Sequence, residues 1–220
     1  MINRLLYWLG WGIIQLYARL MFRLDAFHHA PLPDGPKIVV ANHPSTTDPF
    51  LVMALVSSRV SILIIETLFK VPVFGRYLRH IGHVPVIPGN GQVAFERARQ
   101  LLQAGHTVVI FPEGDLSPAE GGFLRPRTGA ARLALATGAP VIPIGIHLQH
   151  DRIHRVETMV DGKVEIGCWY LRGPYAFTMG EAMYFEGDVE DRPHVRAISE
   201  HIMQAIVQLV QRSAYRLQAA

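Results

Sequence analysis

The chain has 220 residues, enough for one domain with a sizeable core. Half of them are hydrophobic, 18% are charged and the formal net charge is +3. With no Lys/Arg cluster and no aromatic stacking motif, that balance excludes an ordinary nucleic-acid binder and suits an anionic lipid surface better. The single cysteine, Cys168, excludes an internal disulfide and favours a reducing compartment; it is expected to pack inside as a small hydrophobe.

Residues 5–22 are mostly apolar and aromatic, interrupted by Gln15 and Arg19 and loosened by Gly10 and Gly12. A spanning helix needs about 20 predominantly apolar residues. Arg4, Arg19 and Arg23, with Tyr7, Trp8, Trp11 and Tyr17, favour a helix lying in the membrane interface, ahead of a single span or an ordinary buried helix. No small-residue cleavage site follows, so a cleaved signal peptide is not expected. Residues 1–30 are assigned to this helical segment. The turn-rich run Pro31-Leu32-Pro33-Asp34-Gly35-Pro36 separates it from the rest.

Beyond the break, residues 37–41 form a short apolar run that predicts a buried strand. A helix over 49–57, a strand over 60–65, a helix over 92–104 and a strand over 107–111 follow. A small-residue helix over 128–137 ends at Gly138, and a fourth buried strand covers 140–146. Residues 164–171 alternate apolar and polar, the pattern of a strand with unlike faces. Val195, Ile198, Ile202, Ile206, Leu209 and Val210 recur at helical spacing, predicting an amphipathic terminal helix over 195–217. Strands alternating with helices imply an α/β domain with a mixed or mostly parallel central sheet flanked by helices.

Two segments carry chemistry. Asn42-His43-Pro44-Ser45-Thr46-Thr47-Asp48-Pro49 follows one strand and precedes a helix, at the strand end where α/β proteins bind ligands. Asp48 lies close enough in sequence to fold back on His43, fix its tautomer and stabilise the imidazolium. The other ring nitrogen is then free to take a proton from an alcohol. No Gly-x-Ser-x-Gly elbow occurs, so the substrate is expected to supply the hydroxyl. Capping of the following helix is the structural alternative for this pair. Phe111-Pro112-Glu113-Gly114-Asp115-Leu116-Ser117 also follows a strand and is expected to open on the same edge. There Glu113 can meet a substrate and Gly114 allows close backbone approach. A tight turn, with Asp115 and Ser117 bonding their own backbone, is the alternative. His80 and His83, and His147, His150 and His154, have loosely zinc-like spacing. With no cysteine cluster near them, surface or interface positions are expected and no metal is assigned.

Together these residues resemble the glycerolipid acyltransferase family, which includes the 1-acylglycerol-3-phosphate acyltransferases. That family carries Asn-His-x-x-x-x-Asp, matched in full by Asn42, His43 and Asp48, and later Phe-Pro-Glu-Gly-Thr-Arg-Ser, matched by Phe111, Pro112, Glu113, Gly114 and Ser117. Ala139-Pro140-Val141-Ile142-Pro143-Ile144 matches its late apolar block, and residues 70–86, with Pro72, Phe74, Gly75, Gly82 and Pro85, match the remaining one. The resemblance covers about residues 38–146, in the family's order.

It implies that residues 31–220 are a catalytic domain in which His43, assisted by Asp48, deprotonates a lipid acceptor hydroxyl. The hydroxyl then attacks the thioester of acyl-CoA or acyl-carrier protein, with no cofactor. It further implies that Asn42, Glu113, Gly114 and Ser117 belong to substrate binding, and that acyl chains lie near Pro143. A membrane surface, with Trp169 and Tyr170 as further contacts, and its cytoplasmic face, where thioester donors are found, complete the expectation. Two family arginines that hold the acceptor phosphate are replaced by Leu116 and Pro88, and Asp115 opposes an anion; Arg125, Arg127 or Arg76 are the candidate substitutes. A glycolipid or other non-phosphatidic acceptor, a CoA-independent transacylase and a non-enzymatic lipid-binding relative are the alternatives. The last is disfavoured because His43 and Asp48 are both present.

Overall fold

The apolar runs that predict buried strands become neighbours in one sheet. In the computed structural model, which describes residues 4–56, 59–118, 120–160 and 162–219, these are β2 (Lys37–Ala41), β3 (Val60–Ile65), β5 (Thr107–Ile110) and β6 (Val141–Leu148). Together with β1 (Phe22–His28), β4 (Val84–Val86) and β9 (Gly173–Met179) they form a seven-stranded sheet of order β1-β9-β6-β2-β5-β3-β4. The five strands β4, β3, β5, β2 and β6 are mutually parallel; β9 runs antiparallel to β6 and takes β1 parallel beside it. The fold is therefore a single α/β domain with a mostly parallel sheet. Central strands of such sheets are covered on both faces, and β2 and β5 are buried at every residue.

Helices cover both faces. On one side α1 (Arg4–Met21), α2 (Asp48–Leu55) and α4 (Phe74–Ile81) pack over a core that includes Val39, Ala41, Val109, Ile142 and Ile144. On the other, α5 (Gly91–Gln103), α6 (Gly129–Thr137) and α7 (Arg192–Ala219) cover Ile38, Val40, Val108, Ile110 and Val141. The split follows the two-residue period of a strand, which sends alternate side chains to opposite faces. Gly138 closes α6 in the left-handed region at φ 66°, where glycine avoids the Cβ penalty. The short α3 (Glu66–Lys70) follows β3. The strands β7 (Ile153–Val160) and β8 (Lys163–Tyr170) pair antiparallel with each other in a separate two-stranded ribbon.

Several sequence expectations change. The N-terminal helix stops at Met21 rather than continuing to residue 30, because Phe22–His28 pairs in register with β9 as an edge strand of the main sheet. No helix among the described residues is long and apolar enough to cross a membrane. Tyr170, expected at the lipid surface, is wholly buried and donates its hydroxyl to the Pro174 carbonyl at 2.7 Å. Cys168 is half-buried rather than enclosed. The second helix ends at Leu55; the expected end at Ser57 lies outside the described residues. His83, expected near the surface, is buried; its Nδ1 accepts the Ile62 N–H at 3.2 Å, and burial lowers its pKa to about 4.

α1 is apolar on two sides. Tyr7, Trp11, Ile14 and Ala18 pack inward on the domain, and the Tyr7 hydroxyl accepts the Val60 N–H at 2.9 Å. Leu5, Leu9, Ile13, Leu16 and Leu20 form an outer stripe, each more than half exposed. An ordinary surface helix presents polar residues on that side.

Candidate active site

The site grows from the carboxyl ends of β2 and β5, which lie side by side in parallel register. Val39 and Ala41 face the α1–α2 side of the sheet, and His43 continues that alternation beyond the strand end; Val109 and Phe111 do the same on β5. The result is a stack of the His43 imidazole on the Phe111 ring, 4.2 Å between centroids and 23° between planes.

Asp48 does fold back on His43. Its Oδ2 lies 3.1 Å from His43 Nδ1 and accepts the Ser45 N–H at 2.7 Å, while Oδ1 accepts the Tyr175 hydroxyl at 3.0 Å. The carboxyl is completely buried, and burial raises its pKa despite the opposing pull of His43, Ser45 and Tyr175. The Tyr175 hydroxyl, equally buried, is pushed well above its usual range by burial and by the adjacent Asp48 carboxyl, so it stays a donor. No side-chain cap bond forms at the start of α2, so Asp48 serves the imidazole rather than the helix. His43 is partly exposed, and its Nε2 has no protein partner among the described residues. An acceptor hydroxyl placed at Nε2 would meet a base whose tautomer is set from behind.

The two loops meet as expected, and Glu113 and Ser117, for which the resemblance implies substrate binding, also join them. Glu113 is buried; its Oε1 accepts the His43 N–H at 3.1 Å and the Ser117 hydroxyl at 2.7 Å, and its Oε2 accepts the Leu124 N–H at 2.8 Å. Ser117 adds its own N–H to the His43 carbonyl at 2.8 Å. Both carboxylate oxygens are thus engaged, and Glu113 and Ser117 lock the second loop onto the first. Asn42 is likewise occupied: its Nδ2 donates to the Ile146 carbonyl at 2.9 Å and its Oδ1 accepts the Ile146 N–H at 2.8 Å, clamping the end of β2 to β6. Pro143 is buried within β6, its carbonyl accepting the Gly180 N–H at 2.8 Å, and offers no open surface to an acyl chain.

The arginines divide. Arg125 is exposed and faces Glu200 of α7 at 3.7 Å, on the rim. Arg127 donates its backbone N–H to the Pro112 carbonyl at 2.8 Å and lays its side chain across Gly114. Gly114 has φ 71°, which favours glycine, and a Cβ there would displace the Arg127 side chain. Asp115 turns its carboxylate to the Leu116 N–H at 2.8 Å, as in the tight-turn alternative. Sequence alone missed Tyr175, which is 127 residues from Asp48, and the support behind the His43 loop. There Cys168 and Tyr170 of β8 hold Ser45, Thr46 and Thr47 through backbone and hydroxyl hydrogen bonds.

A model of the Acyltransferase family matches residues 25–147, more than half of the chain. The chain belongs to the Acyltransferase family. Among curated relatives, the chloroplastic 1-acyl-sn-glycerol-3-phosphate acyltransferase BAT2 of Brassica napus is 31% identical over 138 residues, covering 61% of this chain and 39% of that protein. The corresponding LPAT1 of Arabidopsis thaliana is 29% identical over 137 residues, covering 61% and 38%. The chain thus spans about two fifths of the length of these relatives. The crystal structure of the 1-acyl-sn-glycerophosphate (LPA) acyltransferase PlsC from Thermotoga maritima shares the fold, with a TM-score of 0.66 at 21% identity over 92% of this chain and 78% of that one. The matched region of this Acyltransferase domain holds both loops of the site and leaves Tyr175 and the β7–β8 ribbon outside it.

Proposed function

We propose that this chain transfers a fatty acyl group from acyl-CoA or acyl-carrier protein to a hydroxyl of a lysophospholipid acceptor at a membrane surface. The observation that carries the reading is the His43–Asp48 pair at the sheet edge, buried on its Asp48 side and open at Nε2. In the proposed reaction Nε2 removes the acceptor's hydroxyl proton as its oxygen attacks the thioester carbonyl carbon. The tetrahedral adduct then collapses, the carbon–sulfur bond breaks, and the departing thiolate takes the proton from the imidazolium. Asp48 holds the Nδ1 proton and balances the imidazolium charge. Family membership and the names of the curated relatives support a 1-acylglycerol-3-phosphate type of acceptor. Arg127, whose side chain lies across Gly114, is the proposed cation for its phosphate in a chain that carries Leu116 and Pro88 where arginines would otherwise serve. Asp115 in the same loop favours a less anionic acceptor, so a glycolipid or other lysolipid is the second reading. The outer stripe of α1 supports a bilayer as the site of action, and the cytoplasmic face is proposed only because thioester donors are found there.

The test is acyl transfer by the purified chain in liposomes, with radiolabelled acyl-CoA or acyl-carrier protein and a panel of lysophospholipid and glycolipid acceptors. Product should require an acceptor and fall by about 10²–10⁴-fold in H43A, the usual contribution of a general base. Full activity in H43A, or no transfer from either donor, overturns the reading, and the preferred acceptor decides between phosphate and non-phosphate headgroups.

A further inference from the structure

The β7–β8 ribbon stands apart from the main sheet, and β7 is open to solvent along its middle six residues. A two-stranded ribbon alone is marginal in water and gains nothing by displaying aliphatic side chains there. Yet Met159 lies directly opposite Val164, and Ile166 opposite Glu157, so Met159, Val164 and Ile166 share one face; they are 67%, 57% and 54% exposed. Arg155, opposite Cys168, continues the same face toward the root, and Glu157 is its one acid.

The root adjoins α1. The Tyr17 hydroxyl of α1 donates to the carbonyl of Leu171, the exposed residue that follows β8, at 2.6 Å. Arg23 and Arg172 flank this join, and Arg19 lies in the last turn of α1; all are exposed, and none forms an ion pair among the described residues. Two exposed apolar surfaces on elements that meet beside unpaired arginines match an anionic bilayer, with acyl chains below and phosphates at the level of the cations. A protein partner would be expected to neutralise those arginines with carboxylates of its own.

We propose that the β7–β8 ribbon is a second membrane-docking element, its Met159–Val164–Ile166 face entering the same anionic bilayer as the outer stripe of α1. The ribbon's root holds the loop that carries His43: the Thr46 N–H donates to the Cys168 carbonyl at 2.8 Å, and the Cys168 and Tyr170 N–H groups donate to the hydroxyls of Thr46, Ser45 and Thr47. Seating the ribbon therefore sets the His43 loop at the lipid surface. The choice of a bilayer as occupant rests on the lipid-acceptor function proposed above; the docking itself is measured without turnover.

The experiment places an environment-sensitive fluorophore on V164C in a C168S background and adds vesicles of phosphatidylcholine doped with phosphatidylglycerol. A blue shift on vesicle addition, quenched by spin-labelled lipid, is the expected result. M159E/I166E should float with the same vesicles roughly tenfold less than the native chain. Its activity on a short-chain acceptor below the micelle concentration should be unchanged. An unshifted label, native flotation of M159E/I166E, or a shift on concentrating the chain without vesicles (a second copy as the occupant) overturns the proposal. A blue shift in a chain that transfers no acyl group leaves docking intact and removes the enzyme function; turnover without a shift does the reverse.

Discussion

At Asp48 two demands oppose each other. Burial raises its pKa, while the His43 ring, the Ser45 N–H and the Tyr175 hydroxyl favour the ionised form without restoring the ordinary value of 3.8. A carboxyl raised on folding contributes stability below its unfolded pKa and loses that contribution as pH rises through the folded value. D48N removes the titration but keeps the shape: its amide oxygen can accept the Ser45 N–H and its amide nitrogen can donate to the Tyr175 oxygen. The urea midpoint of D48N should therefore gain on that of the native chain as pH rises above about 4, while turnover falls about 10²-fold or more. A midpoint that drops relative to the native chain as pH rises would show that the charge stabilises the fold. His83 has the opposite sign. Buried and neutral, with its pKa lowered from 6.5 to about 4, it contributes stability above its unfolded pKa and loses it as pH falls through that interval. At 1.36 kcal/mol per pH unit the loss is about 3 kcal/mol. H83Q should flatten the acid limb of the stability profile by about that amount, measured by denaturant unfolding at a series of pH values.

At the scale of elements, what could be read in advance depended on how local the signal was. The strands at 37–41, 60–65 and 107–111 were legible to within a residue because interior parallel strands are short apolar runs. β1 was not, since Phe22, Leu24 and Ala26 continue the apolar composition of α1 and only pairing with β9 distinguishes them. β4, three residues around Pro85, is too short for a period to emerge. In the site, His43 with Asp48 and the 111–117 loop were visible because each lies within a few residues of sequence. Tyr175 comes from the far side of the chain and has no local signal. Asn42 and Glu113 stand out in the motifs, but a motif does not show that their side chains also clamp backbone, as the bonds to Ile146, His43 and Leu124 do here. The outer stripe of α1 carries its own test. Leu9 and Ile13 are 59% and 62% exposed, so L9E/I13E should leave stability within about 0.5 kcal/mol while abolishing flotation with anionic vesicles. Unfolding of that variant instead would place the stripe against protein.

At the scale of the whole molecule, the His43 loop is held by layers it does not touch. Asn42 ties the end of β2 to Ile146 of β6, and β6 is pressed on its other face against α7. The approach is closest at Gly145, whose carbonyl accepts the Ser213 hydroxyl at 2.8 Å and where a Cβ would overlap the backbone of Leu209 and Val210. Overlap with a helix backbone cannot be relieved by a rotamer change, so G145A must lift α7 or twist β6. Overpacking of this kind costs about 1–3 kcal/mol, and at roughly 2–4 °C per kcal/mol for a chain of this size the Tm should fall by up to about 10 °C. The disturbance also enters the site, because Ile146 is the next residue and its N–H and carbonyl are both bonded to Asn42. Acyl transfer by the folded G145A chain, measured well below its Tm, should therefore show a lower kcat with little change in KM for the donor. A Tm drop with native kcat would mean that β6 and the His43 loop relax independently of α7.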